Sequence, residues 1–309
     1  MPTLLITHPV CLEHDPGPHH PECPERLKVV LAALETEEFH LLLRAEAPHA
    51  TMEQLSRAHP MSHIEHILSS VPSQGHCTID GDTFLSPNSG EAALRAAGAV
   101  CLAIDEVVSG RVRNAFCAIR PPGHHAELHQ AMGFCLFNNV VVGAYHARAA
   151  HGISRVAVVD WDVHHGNGTQ HMMEDDPDFF YASTHQSPLY PGTGWADETG
   201  VAGNVLNVPL PPGTDSQSFR AAFSNRILPA LEDFKPGLIL ISAGFDAHIA
   251  DPIANLRLEA TDYGWATREI LAVAGRVCEN RVVSALEGGY DLAALMACTT
   301  HHVRALMGG

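Results

Sequence analysis

The sequence predicts an α/β fold in which helices flank a mostly parallel central sheet. Predicted strands alternate with predicted helices along the chain, the order that is typical of parallel strands joined by crossover helices. The strongest strands are short, continuously apolar runs, as expected for strands that are covered on both faces. No repeat, linker or low-complexity tract divides the chain, so we expect one domain over residues 1–309, with functional residues at the carboxyl ends of the strands.

Each element is delimited by a change of hydrophobic pattern and by flanking Gly, Pro, Asn or Asp residues. Strands are predicted at 3–7, 114–119, 155–160, 179–184, 204–208, 237–243 and 281–286, and helices at 24–34, 89–108, 138–150, 216–232, 261–278 and 291–306. The long Gly- and Pro-containing connections between them indicate loops that carry binding residues at one rim of the sheet.

The segment RVAVVDWDVHHGNG, residues 155–168, changes abruptly from an apolar strand to two carboxylates and two imidazoles. Side chains alternate along an extended segment, so Asp160, Asp162 and His164 should point the same way. A mixed oxygen and nitrogen set suits zinc or another borderline divalent cation. The alternative is that these polar residues only solvate a loop.

Three further apolar strands also end in chemically distinctive residues. LILISAGFDAH (238–248) offers Asp246 as a third metal ligand, NAFCAIRPPGHHAE (114–127) delivers His124 and His125, and RVVSALEGGYD (281–291) delivers Glu287 and Tyr290. If these residues had no common function, four separate strands would each have to end in such residues by chance. The combined pattern therefore predicts a metal-dependent catalytic site at one rim of the sheet.

The motifs RPPGHHAE, GFCLFNN, DWDVHHGNGTQH, SAGFDA and LEGGY, with HPECPERL near the start, resemble the zinc-dependent histone deacetylase family in its class II branch. The resemblance runs from about His20 to His301. It implies an arginase-like open α/β fold and hydrolysis of an acyl amide, usually the acetyl group on a lysine side chain. The family also includes acetylpolyamine amidohydrolases and other small-amide hydrolases, so the fold does not decide the substrate.

The resemblance implies a role for each residue of the predicted centre. Asp162, His164 and Asp246 would bind one zinc ion, which polarises the acyl oxygen and lowers the pKa of the attacking water. His125 would carry the proton from the water to the leaving amine, with His124 as its electrostatic partner. Tyr290 would donate a hydrogen bond to the oxygen that becomes negative.

Further residues match the family around this centre. Asp160 resembles the carboxylate that orients the first histidine of the pair. Asn167 stands where many class I relatives have an aspartate, and its uncharged amide should leave His125 less basic. The resemblance also implies an inner monovalent-cation site, normally potassium, formed by Asp160, Asp162, His164, Ser183 and Thr184.

The resemblance also indicates a substrate passage. Phe134 and Tyr190 match the aromatic walls of a narrow tunnel for a lysine-like chain, and Gly133 would let backbone approach the substrate. Phe134 could alternatively pack only in the core. Asp82 matches a rim residue that grips the substrate, or else is an ordinary turn carboxylate. Arg26 resembles the arginine of an internal acetate-release channel, or else forms a surface salt bridge.

Residue 253 bears on the class of substrate. Polyamine-selective members of the class II branch have a glutamate seven residues after the last metal aspartate, whereas this chain has Ile253. An apolar side chain offers no charge to a second ammonium group. We therefore expect an acyl-lysine-like substrate in preference to a long acetylpolyamine.

Composition restricts the possible binding partners and the cellular compartment of this protein. With 18 basic and 35 acidic residues the formal net charge is -17, so direct nucleic-acid binding is not expected, whereas cationic substrates are attracted. Eight cysteines without a C-x-x-C pair indicate reduced thiols of a cytoplasmic protein. No apolar stretch is long enough to span a membrane. The sequence leaves the oligomeric state open, a homo-oligomer included.

Two other functions compete with a mononuclear metal amidohydrolase. A binuclear manganese ureohydrolase of the same fold would need carboxylates near Gly166 and His248, and the sequence has none there. An inactive acyl-lysine-binding module would be expected to lack a ligand, a histidine of the pair or the tyrosine, yet all are present.

Overall fold

The computed structural model describes residues 2–308 and contains one large sheet and one small hairpin. The strands are β1 (Thr3–Thr7), β2 (Leu43–Glu46), β3 (Cys77–Thr78), β4 (Phe84–Leu85), β5 (Asn114–Cys117), β6 (Val156–Asp160), β7 (Phe179–Gln186), β8 (Val205–Leu210), β9 (Leu238–Ala243) and β10 (Val282–Leu286). The large sheet has the order β2-β1-β5-β10-β9-β6-β7-β8, and all of its pairings are parallel. The short strands β3 and β4 pair antiparallel outside it.

Helices connect the parallel strands and cover both faces of the sheet. They are α1 (Pro24–Leu34), α2 (Met52–Ser56), α3 (Met61–Ser69), α4 (Ser89–Val108), α5 (Asn139–His151), α6 (Asn167–Met173), α7 (Ser216–Ala222), α8 (Leu228–Phe234), α9 (Ala260–Val277) and α10 (Leu292–Leu306). None of the described helices is long and apolar enough to cross a membrane. All eight cysteines are free thiols, and Cys23 and Cys77 are the two that are partly exposed.

The predicted strands and helices are present with modest differences in length. The strand predicted at 114–119 ends at Cys117, and the strand predicted at 179–184 continues to Gln186. The helix predicted at 216–232 is interrupted by a π-helical turn over Phe223–Ile227. Pro229, in the first turn of α8, has no N–H to donate to the preceding turn, so the regular helical ladder cannot continue through it.

Several short elements were not predicted from the sequence: β2, the β3–β4 hairpin and the helices α2, α3 and α6. β2 is a mostly exposed edge strand, and the hairpin strands have two residues each. Such segments bury too few side chains to produce a clear periodicity.

The two faces of the sheet contribute to separate hydrophobic layers. In β6, Val156 and Val158 belong to the layer that includes residues of α4 and α5, whereas Ala157 and Val159 belong to the layer that includes residues of α1, α9 and α10. Because both faces of the strand are covered, its polar residues are confined to the ends.

Sheet order brings the four distinctive strand ends together. β5, β10, β9 and β6 are consecutive in the sheet although they are far apart in the chain. Since all four are parallel, their carboxyl ends lie at the same edge, and Asp160 at the end of β6 is level with Ser242 near the end of β9. The loops after these strands therefore meet at one rim, as predicted.

Candidate active site

Two carboxylates and an imidazole converge beyond the ends of β6 and β9. Candidate ligand atoms of Asp162, His164 and Asp246 lie within 4.8 Å of one another, and all three residues are buried. His164 Nδ1 is 3.0 Å from Asp162 Oδ1 and 3.2 Å from Asp246 Oδ2. Asp246 Oδ2 nevertheless accepts no hydrogen bond from any residue in the described range 2–308. A buried, unpartnered carboxylate oxygen beside these two side chains fits the ligand set of a divalent cation.

The charges of this cluster also favour a cation. Burial, and then the charge of Asp162, raise the pKa of Asp246 to about 7. Burial disfavours a charged His164, but the neighbouring carboxylates of Asp162 and Asp246 outweigh this effect and raise the pKa of His164 to about 10. The two carboxylates therefore favour a positive charge beside them. A divalent cation would supply this charge.

Backbone groups hold the two carboxylates in place. The Val163 N–H donates to Asp246 Oδ1 and the Gly288 N–H donates to Asp162 Oδ2, each at 2.8 Å. A Cβ atom at residue 288 would collide with the carboxylates of both aspartates. Gly288 is therefore required because the loop after β10 lies directly on the cluster. This glycine belongs to the motif LEGGY, but its role was not predicted from the sequence.

His124 lies between the carboxylates of the loop after β6. Its Nδ1 donates to Asp160 Oδ2 at 3.1 Å, and its Nε2 lies 3.8 Å from Asp162 Oδ1. Burial alone would lower the pKa of His124, but Asp162 and Asp160 outweigh it and raise the pKa to about 10. This environment keeps His124 cationic and supports an electrostatic role.

His125 has the opposite character because its partner is neutral. Its Nδ1 lies 2.7 Å from Asn167 Oδ1, while Asn167 Nδ2 donates to Glu127 Oε1 at 2.6 Å. Glu127 can only accept, so it fixes the orientation of the amide, and the amide oxygen requires a proton on His125 Nδ1. Burial lowers the pKa of His125 well below its usual value, and the charges of His124 and His164 lower it further. His125 Nε2 is thus left with a free lone pair. The role of Glu127 was not predicted from the sequence.

Tyr290 follows β10 and keeps its proton. Its backbone N–H donates to Asp251 Oδ2 at 2.8 Å, and the Arg26 guanidinium lies 4.9 Å from the centre of its ring. Burial raises the pKa of the Tyr290 hydroxyl well above its usual value, and the positive charge of Arg26 only partly offsets this. Tyr290 is therefore available as a hydrogen-bond donor.

Arg26 is a buried residue behind this tyrosine. Its guanidinium donates to Glu287 O at 2.5 Å, to Gly289 O at 2.6 Å and to Glu22 Oε1 at 3.0 Å. The Arg26 side chain is 0% exposed, so the alternative of a surface salt bridge, considered from the sequence, is wrong. Arg26 is also not among the residues that line the cavity at this site, so its direct contact is with the loop that bears Tyr290 and not with that cavity.

A cavity of about 250 Å³ reaches this cluster from the surface. Its lining consists of Asp82, His125, Gly133, Phe134, His164, Leu189, Tyr190, Ile253 and Tyr290. The Tyr190 ring lies edge-on to His125 at 5.1 Å between centres, and the Phe134 ring lies edge-on to Tyr290 at 6.0 Å. The two aromatic residues therefore border the cavity beside different members of the site. Phe134 is thus more than a core residue.

The backbone at Gly133 and Phe134 has a left-handed conformation, with φ of 56° and 69°. Such a φ strains Phe134, whereas glycine adopts it freely. A Cβ atom at residue 133 would collide with the His125 ring, so the glycine is required by that contact as well as by its place on the cavity. The Phe134 N–H donates to Thr83 Oγ1, which donates to Asp82 Oδ1, both at 3.1 Å. These hydrogen bonds connect the turn of the β3–β4 hairpin to the rim of the cavity, a contact that was not predicted from the sequence.

Residues 20–306 match the family model of the histone deacetylase domain. This chain belongs to the histone deacetylase family. Histone deacetylase 14, chloroplastic, of Arabidopsis thaliana is 38% identical over 310 residues, covering 94% of this chain and 73% of that protein. The histone deacetylase-like amidohydrolase of Pseudomonas aeruginosa is 37% identical over 329 residues, covering 99% and 86%. The crystal structure of the HDA15 HD domain matches with a TM-score of 0.94 and 35% identity, covering 99% of this chain and 88% of that one.

Membership of the histone deacetylase family confirms the arginase-like deacetylase fold predicted from the motifs and supports hydrolase activity. The roles of individual residues in this family member stay predictions, although Asp162, His164, Asp246, His124, His125 and Tyr290 lie together as expected. Asp82, Gly133, Phe134, Tyr190 and Ile253 line the cavity beside them.

The residues predicted to bind potassium lie on β6, on β7 and in the loop after β6. Ser183 is level with Asp160 in the pairing of β7 with β6. His185 Nε2 lies 2.9 Å from the Gly194 carbonyl, which can only accept, so Ser183 Oγ donates to His185 Nδ1 and keeps its lone pairs free. Thr184 Oγ1 is buried without a partner among residues 2–308. These oxygens are compatible with a monovalent cation, which stays a prediction.

Proposed function

We propose that this chain is a zinc-dependent amidohydrolase that removes an acyl group, in particular acetyl, from the amine of a lysine-like side chain. One observation carries the proposal: a cavity bordered by aromatic residues ends at two carboxylates and an imidazole, with an unprotonated histidine nitrogen and a tyrosine hydroxyl beside them. A linear chain with an amide at its tip fits this arrangement.

The donor set supports one zinc ion. Asp162, His164 and Asp246 would hold it, leaving room for the substrate in an open position. When bound, zinc acts as a Lewis acid on the acyl oxygen and lowers the pKa of the attacking water. A Cβ atom at Gly166 would collide with Asp160 Oδ2, so no carboxylate fits there for a second metal. This contact argues against the binuclear alternative.

The side chains around the acyl carbon transfer the proton and stabilise the developing negative charge. His125 Nε2 accepts the proton of the attacking water as its oxygen bonds to the carbonyl carbon. When the C–N bond breaks, His125 returns the proton to the departing nitrogen, which gives a carboxylic acid and a free amine. The Tyr290 hydroxyl donates to the carbonyl oxygen as it becomes negative, and the cationic His124 stabilises the same charge at longer range.

The rim supports an acyl-lysine substrate. Phe134 and Tyr190 would pack against the methylene chain, and Asp82 would accept a hydrogen bond from a substrate N–H. Ile253 lines the cavity without offering a charge. The Asp82 carboxylate and the net charge of -17 also suit a cationic chain, so an acetylpolyamine or another small amide is the second candidate.

A substrate panel tests the proposal directly. The zinc-loaded protein would be assayed with acetyl-lysine peptides, longer acyl-lysine peptides, acetylpolyamines and simple anilides. We expect the highest kcat/KM for an acyl-lysine peptide, and a higher value for acetylpolyamines would favour the second candidate. Absence of hydrolysis of every amide after zinc loading would contradict the function itself.

Ile253→Glu is expected to shift selectivity toward acetylpolyamines. The new carboxylate would face the cavity and attract a second ammonium group, so the ratio of kcat/KM for acetylspermidine to that for acetyl-lysine peptide should rise by up to about fivefold, the effect of one exposed charge pair. Ile253→Gln is the matched control, since it adds polarity without charge. An equal rise in both variants would show that charge is not responsible.

Placing a carboxylate at residue 167 is expected to move the acidic limb of the kcat/KM profile to higher pH. Burial and neighbouring positive charges hold the pKa of His125 well below its usual value, and an adjacent anion would raise it. Because Glu127 Oε1 lies 2.6 Å from the Asn167 amide nitrogen, the single Asn167→Asp change would bring two carboxylates together. Asn167→Asp/Glu127→Gln is therefore the cleaner variant. An unmoved acidic limb in this variant would exclude His125 as the base.

A structural potassium ion near Ser183 and Thr184 completes the proposal. If these oxygens bind potassium, the unfolding midpoint should be higher in KCl than in NaCl at equal ionic strength. Thr184→Val should reduce this difference. No difference between the two salts would count against the ion.

A further inference from the structure

A second group of metal-ligand type lies away from the active site, where α4 and α5 pack together. Asp105 is in the last turns of α4, His146 is in α5, and His151 is its final residue. Candidate ligand atoms of the three side chains lie within 4.8 Å of one another. Nothing in the proposed deacylation uses these residues.

The two imidazoles face the same oxygen atom. His146 Nε2 lies 2.8 Å and His151 Nε2 lies 2.6 Å from Asp105 Oδ1, and the rings are nearly perpendicular at 88°. In the metal-free protein both nitrogens must be protonated in order to donate to the shared oxygen. If these protons are released, two nitrogen lone pairs and a carboxylate converge on one point. Zinc and other borderline divalent cations prefer such a set.

The position of the cluster allows a cation to enter. The side-chain exposures are 8% for His146, 24% for His151 and 39% for Asp105, so the group is anchored on one side and open to solvent on the other. This differs from the catalytic cluster, whose three residues are all buried. The open side would leave coordination positions for water.

We propose that Asp105, His146 and His151 form a second divalent-cation site of this protein, selective for zinc-like metals over magnesium or calcium. Two imidazole nitrogens favour zinc, whereas magnesium and calcium require mostly oxygen ligands. The bound ion joins the ends of α4 and α5 and therefore stabilises the packing between them.

Gln54 sets the affinity of this site. Its Nε2 lies 3.4 Å from His146 Nδ1, and its Oε1 accepts the Thr51 N–H at 2.8 Å as part of the capping box of α2. This orientation favours a proton on His146 Nε2, which the metal must displace. A carboxylate at residue 54 would instead accept from a protonated Nδ1 and free Nε2 for the metal. Gln54→Glu should therefore tighten zinc binding by about tenfold, as such supporting contacts do elsewhere.

The test is a zinc titration of the metal-stripped protein, followed by removal of loosely bound metal and elemental analysis. We expect two equivalents in the wild type and one in His151→Ala and in Asp105→Asn, with amide hydrolysis unchanged in both. Asp246→Asn should also bind one equivalent, because it retains only the site on α4 and α5. His49→Ala is the matched control, since His49 pairs with Glu91 at the surface without a second histidine.

A second measurement keeps the result independent of stoichiometry. Zinc should raise the unfolding midpoint of Asp246→Asn, and this rise should disappear when His151→Ala is added, because ligand binding stabilises the folded state by mass action. If the wild type bound one equivalent of zinc, or if His151→Ala still bound two, the proposal would be overturned. Asp105, His146 and His151 would then be only a hydrogen-bonded group. Neither outcome would affect the proposed deacylation, which depends on the other cluster.

Discussion

Asp246→Asn is expected to abolish amide hydrolysis and to remove one equivalent of bound zinc while the protein stays folded. Asp246 Oδ2 is the buried oxygen without a hydrogen-bond donor, so it is the atom with the most to gain from a cation. Asparagine keeps an oxygen that can accept the Val163 N–H now bound to Asp246 Oδ1. The variant therefore removes the charge and the ligand with little change in the surrounding contacts.

Three measurements on this variant separate loss of metal from loss of structure. Elemental analysis would count the zinc, a thermal melt would report folding, and the substrate panel would report turnover. Asp82→Asn is the matched control: it makes the same chemical change at the rim of the cavity and should retain the metal. If Asp246→Asn kept both its zinc and wild-type turnover, the assignment of the metal ligands would be wrong.

His125→Ala and Tyr290→Phe should each lower kcat by about 10² or more with the zinc still bound. His125→Ala removes the lone pair that Asn167 and Glu127 direct into the cavity. Tyr290→Phe keeps the ring that packs beside Arg26 and removes only the hydroxyl, which as an oxyanion donor is worth about 3 kcal/mol. KM should change less than kcat, because both groups act mainly on charge that develops in the transition state.

Tyr190→Phe is the matched control for the tyrosine. It removes a hydroxyl from another residue of the same cavity. It should change kcat by only a few-fold, because the Tyr190 hydroxyl is not proposed to donate to the oxyanion. His124→Ala should have a smaller effect than His125→Ala, since a charged neighbour stabilises the transition state without carrying the proton. Equal losses in the two histidine variants would show that the proton is not transferred by His125 alone.

The sequence predicted this centre well because its parts are local. Asp160, Asp162 and His164 lie within five residues of one another, and an apolar strand followed by such residues is visible without any tertiary information. The same holds for the paired histidines after β5 and for Tyr290 after β10. Short exposed elements such as β2 were missed, since they lack a buried face to produce a pattern.

Contacts between distant segments could not be predicted in this way. Glu127 orients Asn167 across 40 residues of sequence, and Gly288 lies on carboxylates supplied by two other strands. Arg26 is charged and stands in an amphipathic helix, which favours an exposed position, yet it is fully buried against the loop of Tyr290. In each case the residue type alone is compatible with an ordinary surface or turn position.

The sequence by itself determined the alternation of strands and helices, the family, and the residues that stand at the strand ends. Only the tertiary structure decided which of these residues meet, because the order β5-β10-β9-β6 in the sheet differs from the order in the chain. That order brings Asp246 to Asp162 and Tyr290 to the cavity. The packing of α4 on α5 likewise brings Asp105 to His146 and His151. Hydrophobic periodicity indicates which face of an element is buried, whereas these contacts between residues depend on which elements are neighbours in the fold.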